Sequence, residues 1–185
     1  RVIPMLPERL SNSLCSLNPR EDRLTKSVFI TLDRDGNVLK YEAADTVINS
    51  RSRLNYRQVQ DFLNSGISEE TERIPPEVGE ALIVFSELAD TLIERRNERG
   101  AIDMELPETK VILDDYNKPV DIVKRDRVKS HRMIEEAMLL ANTIVAHILA
   151  EADAPFLYRI HDKPDEKKMD AFSEAASLLG YKFKS

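Results

Sequence analysis

The chain has 185 residues, 42% of them hydrophobic and 32% charged, which suffices for one globular domain with a real core and does not suit a disordered segment. A single cysteine, Cys15, excludes an internal disulfide and a thiolate-rich zinc site within one copy. The formal net charge of −6 argues mildly against a polyanion as partner, though a narrow channel built with neighbouring domains can supply its own positive field.

From Lys26 to Asp33 the residues Val28, Ile30 and Leu32 alternate with Ser27, Phe29 and Thr31, the period of a strand. Asp35-Gly36 supplies a turn and Val38 to Ile48 the returning strand, so the segment is expected to be a hairpin. The run Asp33-Arg34-Asp35-Gly36-Asn37 also brings a calcium loop to mind. It lacks the further ligand such a loop needs before its Gly, so a β-turn is the expected reading. Arg57 to Leu63 reads as a short helix, and Asn64 to Pro76 as an exposed connection.

Pro76 suits the first turn of a long helix in which Val78, Leu82, Phe85, Ala89 and Leu92 recur at helical intervals. Arg95, Arg96 and Arg99 crowd its end, where cations meet the negative pole of the helix dipole. A solvated cap closed by Gly100 is expected there rather than a ligand contact. Lys110 to Asp114 and Val120 to Asp126 form a second expected hairpin around Asp115-Tyr116-Asn117-Lys118-Pro119.

Ser130 is placed to cap a helix running to about Glu151. On it Ile134, Ala137, Ala141, Ile144 and Ile148 form a core stripe, while His131, Glu135, Met138 and Asn142 form another, whose polar groups resist burial unless paired or met by a ligand. Phe156 to Ile160 reads as a strand. Pro164, Asp165 and Glu166 open a last helix with Met169, Phe172, Ala176 and Leu179 toward the core and Gly180 as its stop. The order of hairpins and helices predicts an α+β fold, antiparallel hairpins packed with helices, as one domain over 1–185.

No apolar run is expected to be long enough to cross a bilayer and nothing resembles a signal peptide, so the cytoplasm is the expected location. The histidines 131, 147 and 161 are scattered, and His147 with Glu151 makes only one helical pair, so no metal site is expected within the chain. No phosphate loop or nucleophile triad can be assembled either.

Three segments, in order, carry a resemblance. They are Arg1-Val-Ile-Pro-Met-Leu-Pro-Glu-Arg-Leu-Ser-Asn-Ser-Leu-Cys-Ser-Leu-Asn-Pro19, Arg53-Leu-Asn-Tyr56, and Ser130-His-Arg-Met-Ile-Glu-Glu-Ala-Met-Leu-Leu-Ala-Asn142. Together they resemble the catalytic domain of the RNB exoribonucleases, the ribonuclease R and ribonuclease II family.

The resemblance implies a middle slice of that domain, in a parent that degrades single-stranded RNA processively from 3′ to 5′ and releases nucleoside monophosphates. The family's aspartates, spaced to hold Mg²⁺, would lie before Arg1. Its later arginine and glutamate motifs would follow Ser185, so flanking parts of the same polypeptide are implied partners and the slice alone is expected to be inactive. The rival expectation is a noncatalytic RNA-binding or scaffolding protein on the same fold.

By the same resemblance, Tyr56 matches a tyrosine that touches RNA near the scissile phosphate, and Glu135 a glutamate that acts with it on the ribose. Each has a plain alternative. Tyr56 can simply close a strand-to-helix corner, and Glu135 can pair at the surface with Arg132 or Lys129. Met104, in Ala101-Ile-Asp-Met-Glu105, stands where the family often has a phenylalanine that clamps stacked bases. A thioether offers no π face, and an ordinary core methionine is the alternative.

Overall fold

The computed structural model describes residues 3–66, 74–103, 108–125 and 127–181. The chain divides into two compact units, 1–148 and 149–185. Among the described residues the first unit holds a single π-helical turn, Leu10–Leu14, two antiparallel hairpins and three α-helices, the mixed α+β arrangement that the hydrophobic patterning predicts.

Strands β1 (Asp22–Leu32) and β2 (Val38–Asn49) pair along their length, with Val28 opposite Ala43 and Ile30 opposite Tyr41. On one face Thr46 Oγ1 lies 2.8 Å from Thr25 Oγ1 and 2.6 Å from Ser27 Oγ, a cross-strand hydroxyl ladder. The turn is organised by Asp33. Its Oδ1 accepts from the backbone N–H of Asp35 (3.0 Å) and of Asn37 (2.7 Å), while the Asn37 amide donates to Oδ2 (2.7 Å). Those donors, led by the Asn37 side chain, hold the Asp33 carboxyl below its ordinary range. The Asp33 oxygens thus close the β-turn.

Asn55 caps α1 (Tyr56–Ser65) in a complete capping box. Its side chain accepts from Gln58 N–H at 2.9 Å, and Gln58 Oε1 accepts from Asn55 N–H at 3.1 Å. Helix α2 (Pro76–Glu98) begins with Pro76 and buries Gly79, Ser86, Ala89 and Leu92, with Val78, Leu82 and Phe85 half-buried beside them. A Cβ on Gly79 would stand 2.9 Å from Cζ of buried Phe62 in α1, so the two helices meet at a contact only glycine permits.

Gly79→Ala should therefore destabilise the protein. Helix propensity favours alanine by about 1 kcal/mol, but overpacking a buried ring costs about 1–3 kcal/mol, leaving a net loss of up to about 2 kcal/mol by chemical denaturation. In a Phe62→Leu background the same change should become neutral or stabilising.

The arginines ending α2 depart from the solvated cap expected of them. Arg95 donates to the Gly36 carbonyl at the hairpin turn, and Arg96 pairs with Glu136 of a later helix. Only Arg99 is exposed. Both heads find partners on other elements, Arg95 a carbonyl and Arg96 a carboxylate, an option a long guanidinium side chain always has.

Strands β3 (Glu108–Leu113) and β4 (Pro119–Arg125) repeat the first hairpin's turn logic, with Asp114 Oδ1 accepting from Tyr116 N–H (2.9 Å) and Lys118 N–H (2.8 Å). Helix α3 (Lys129–Glu151) buries Ser130, Met133, Glu136 and Ile144. Of the expected core stripe, Ile144 is buried and Ala137, Ala141 and Ile148 are half-buried, while Ile134 departs from it. Ile134 is 48% exposed, and an acid takes a place in the buried row. By length and composition α3 would reach across a membrane, contrary to the expectation that no run is long enough. Its first two turns are instead tied to other elements of the unit by ion pairs and hydrogen bonds.

In the second unit, Phe156 to Ile160 forms no strand. No partner chain segment hydrogen-bonds to it among the described residues, although the Phe156 and Tyr158 rings touch, with centroids 4.0 Å apart. Asp165 caps α4 (Glu166–Leu178), accepting from Lys168 N–H at 3.1 Å. Of its expected core face, Met169 and Ala176 are half-buried, whereas Phe172 is 56% and Leu179 78% exposed.

Candidate functional site

Tyr56 is the first residue of α1, placed by the Asn55 capping box. Its backbone carbonyl accepts from Ser130 Oγ at 2.9 Å, and Gln60 Oε1 accepts from Ser130 N–H at 3.1 Å. Ser130 therefore does not cap α3 as its position suggests; its hydroxyl fastens the start of α3 to the start of α1. This docking lays the Tyr56 ring on the His131 imidazole, centroids 4.1 Å apart and planes 21° from parallel. One face of the phenol is covered by the imidazole and the residue stays 44% exposed, so its remaining edge is open to a ligand.

Glu135 lies four residues after His131, one helical turn along the same face of α3. The structure thus places the phenol and the carboxylate on one side of that helix. Met104 lies outside the described residues.

Glu135 does form an ion pair, but not with Arg132 or Lys129. Lys129 Nζ reaches Asp90 at 2.7 Å, and Arg132 reaches Asp103 at 3.0 Å. The partner of Glu135 is Arg127, whose Nη2 donates to Oε2 at 2.6 Å while its Nη1 donates to Asp103 at 2.5 Å. Asp103 therefore joins two guanidiniums, one on each oxygen. The hydrogen bond from Arg127, then the charges of Arg127, Arg132 and Arg96, holds its carboxyl below the usual carboxylate range. Both acids hold Arg127 all the more firmly charged.

A carboxyl depressed in this way stabilises the native state fully above its ordinary value of 3.8 and loses that contribution as pH falls through the lower native value. The gap in melting temperature between the natural protein and Asp103→Asn should be constant near neutrality, then shrink below about pH 4. A gap that widens on acidification would contradict the network.

The neighbouring acid behaves differently. Glu136 is 4% exposed and its Oε1 lies 2.9 Å from Arg96 Nη2, off the axis of a good hydrogen bond. Two adjacent glutamates have thus separated, one buried against α2 and one accessible. Sequence patterning missed Arg96–Glu136, although Glu136 stands three residues after Met133 on the same helical row. Arg127 and Asp103 gave no such signal, because they arrive from separate segments.

Among the described residues no three His, Cys, Asp or Glu side chains gather as a metal-binding set. A cavity of about 420 Å³ lies on the first hairpin, lined by Leu24, Lys26, Asp45 and Val47 among others, and none of the residues of the Tyr56–Glu135 face lines it.

A family model described as "RNB domain" matches residues 1–184. Ribonuclease R of Thermotoga maritima is 43% identical over 185 residues, covering 99% of this chain and 26% of that protein. Mycoplasma genitalium RNase R in complex with ribose methylated single-stranded RNA superposes with a TM-score of 0.90 at 33% identity, covering 97% of this chain and 28% of that one. Yeast Ssd1, a pseudonuclease, shares the fold at TM-score 0.69 and 22% identity, over 97% of this chain and 21% of that one. The fold and the paired segments define an RNB domain. The chain belongs to the RNB family, and it spans about a quarter of the length of the ribonuclease R relative it matches.

Proposed function

We propose that this chain is part of a processive 3′-to-5′ exoribonuclease that hydrolyses single-stranded RNA to nucleoside monophosphates, and that its own contribution is to read the ribose. The observation that carries this reading is the common face of α3, where Tyr56 rests on His131 and Glu135 stands one turn away. Glu135 Oε2 is taken by Arg127, which leaves Oε1 to accept a hydrogen bond from a 2′-OH, a group DNA lacks. Tyr56 offers a fixed ring and a hydroxyl beside it. The relative in complex with ribose methylated single-stranded RNA supports RNA as the ligand class.

In this reading hydrolytic metal ions would be held by aspartates of the whole protein outside this chain, and the chain by itself would not cleave RNA. The proposed location of the whole protein is the cytoplasm.

The test is to incubate the whole protein with a 5′-labelled single-stranded RNA. Progressive shortening of the labelled strand with release of unlabelled monophosphates is expected. Retention of the RNA without shortening would favour a noncatalytic binder instead.

A further inference from the structure

We propose that Arg127 and Asp103 are positioning residues for ribose discrimination, acting through Glu135 by fixing which of its oxygens faces the sugar. The proposal rests on the ribose-reading role given to Glu135 above.

A glutamate on a half-exposed helix face has three side-chain torsions and samples many rotamers. Here a guanidinium bound to Oε2 at 2.6 Å selects one of them. Arg127 is itself a long, mobile side chain, so it can orient an acid only if it is held from elsewhere. Asp103 holds it at 2.5 Å, and Asp103 is in turn fixed on its other oxygen by Arg132, one turn before Glu135's neighbour Glu136 on α3. The order Arg132–Asp103–Arg127–Glu135 therefore starts and ends on the same helix, three residues apart, and closes a ring of charge-assisted hydrogen bonds through α3.

A phosphate contact is the natural competing role for an exposed arginine. The geometry disfavours it here, because both terminal nitrogens of Arg127 already donate to carboxylates. The ring also holds two guanidiniums and two carboxylates, so it offers no net positive charge to a polyanion.

The experiment uses the full-length protein and two substrates, a single-stranded RNA and the same strand with 2′-deoxy residues near its 3′ end. Rates are measured for the natural protein and for Arg127→Ala, Arg127→Lys, Asp103→Asn, Glu135→Ala and the double variant Arg127→Ala/Glu135→Ala. Arg127→Ala is expected to lower the RNA-to-deoxy rate ratio roughly tenfold, the size of one lost charge-assisted hydrogen bond. Arg127→Lys should recover part of that ratio, Asp103→Asn should lower it less than Arg127→Ala, and adding Arg127→Ala to Glu135→Ala should change it no further.

An equal fall on both substrates would overturn the proposal in favour of a phosphate contact. A ratio altered by Glu135→Ala but untouched by Arg127→Ala would overturn it while leaving the ribose-reading role standing. A ratio untouched by Glu135→Ala would remove that role and the proposal with it. Asp103→Asn and Arg127→Lys keep shape or charge, so a ratio measured on them is not a measure of unfolding.

Discussion

Glu136→Ala is expected to destabilise the protein by about 3–5 kcal/mol in equilibrium denaturation, the largest stability loss of any single change considered. The reason is the state in which it leaves Arg96. In the native structure Arg96 is mostly covered, its Nη2 2.9 Å from Glu136 Oε1. Removing the acid strands a guanidinium in a low-dielectric site with its neutralising partner gone.

The pair itself need not be stabilising. Its geometry is off-axis, several of its polar atoms lack an aligned protein partner among the described residues, and two charges had to leave water to form it. The double change Arg96→Met/Glu136→Leu is therefore expected to restore stability to within about 1 kcal/mol of the natural protein, or to exceed it. If Glu136→Ala proved neutral, the buried pair would not hold α2 to α3.

Glu135→Ala should act on a different quantity. Stability should change little, since this glutamate is half-exposed and an ion pair at such a site contributes about 0–1 kcal/mol. The ratio of degradation rates for RNA over an equivalent DNA strand should fall by about 10- to 100-fold, because a hydrogen bond from a 2′-OH to a charged acceptor contributes about 1.5–3 kcal/mol. The fall should come from slower RNA turnover rather than faster DNA turnover. Glu135→Gln, which keeps the shape and an acceptor oxygen but not the charge, should fall between the two. The contrast between adjacent glutamates, one altering stability and the other substrate choice, is what their opposite burial predicts.

Much of this arrangement is legible in the amino-acid order, and the failures have identifiable causes. The first hairpin follows from period-two patterning and the second from two apolar-rich runs around Asp115 to Pro119, whereas the aspartates whose oxygens organise the turns, Asp33 and Asp114, show that role only in the folded chain. The three helices of the first unit lie within one or two residues of their predicted limits, because Pro76 and Gly100 mark the ends of α2 and apolar spacing marks α3.

What failed depends on distant partners. Ser130 has the right chemistry for a cap, yet a carbonyl 74 residues earlier takes its hydroxyl. Arg95 and Arg96 look like a solvated cap because their acceptors, Gly36 and Glu136, lie far off in sequence. Ile134 has a core residue's spacing yet lies exposed while Glu136 is buried, since hydrophobicity alone cannot see a paired acid. Phe156 to Ile160 has a strand's composition, but a strand also needs a neighbour to complete its hydrogen bonds. In the candidate site, Tyr56 and Glu135 were recognisable only through the ordered motifs shared with the family. Their support from His131, Arg127 and Asp103 is a product of folding.

The central claim is that Glu135 accepts a hydrogen bond from a ribose hydroxyl, and a thermodynamic cycle between protein and substrate tests it most directly. Degradation rates of the full-length protein, natural and Glu135→Ala, would be compared on RNA strands that are intact or carry one 2′-deoxy residue, moved stepwise from the 3′ end. At one position the two changes should be strongly coupled, the deoxy substitution slowing the natural protein about tenfold or more and the variant scarcely at all. Independent effects at every position would show that the carboxylate and the hydroxyl never meet.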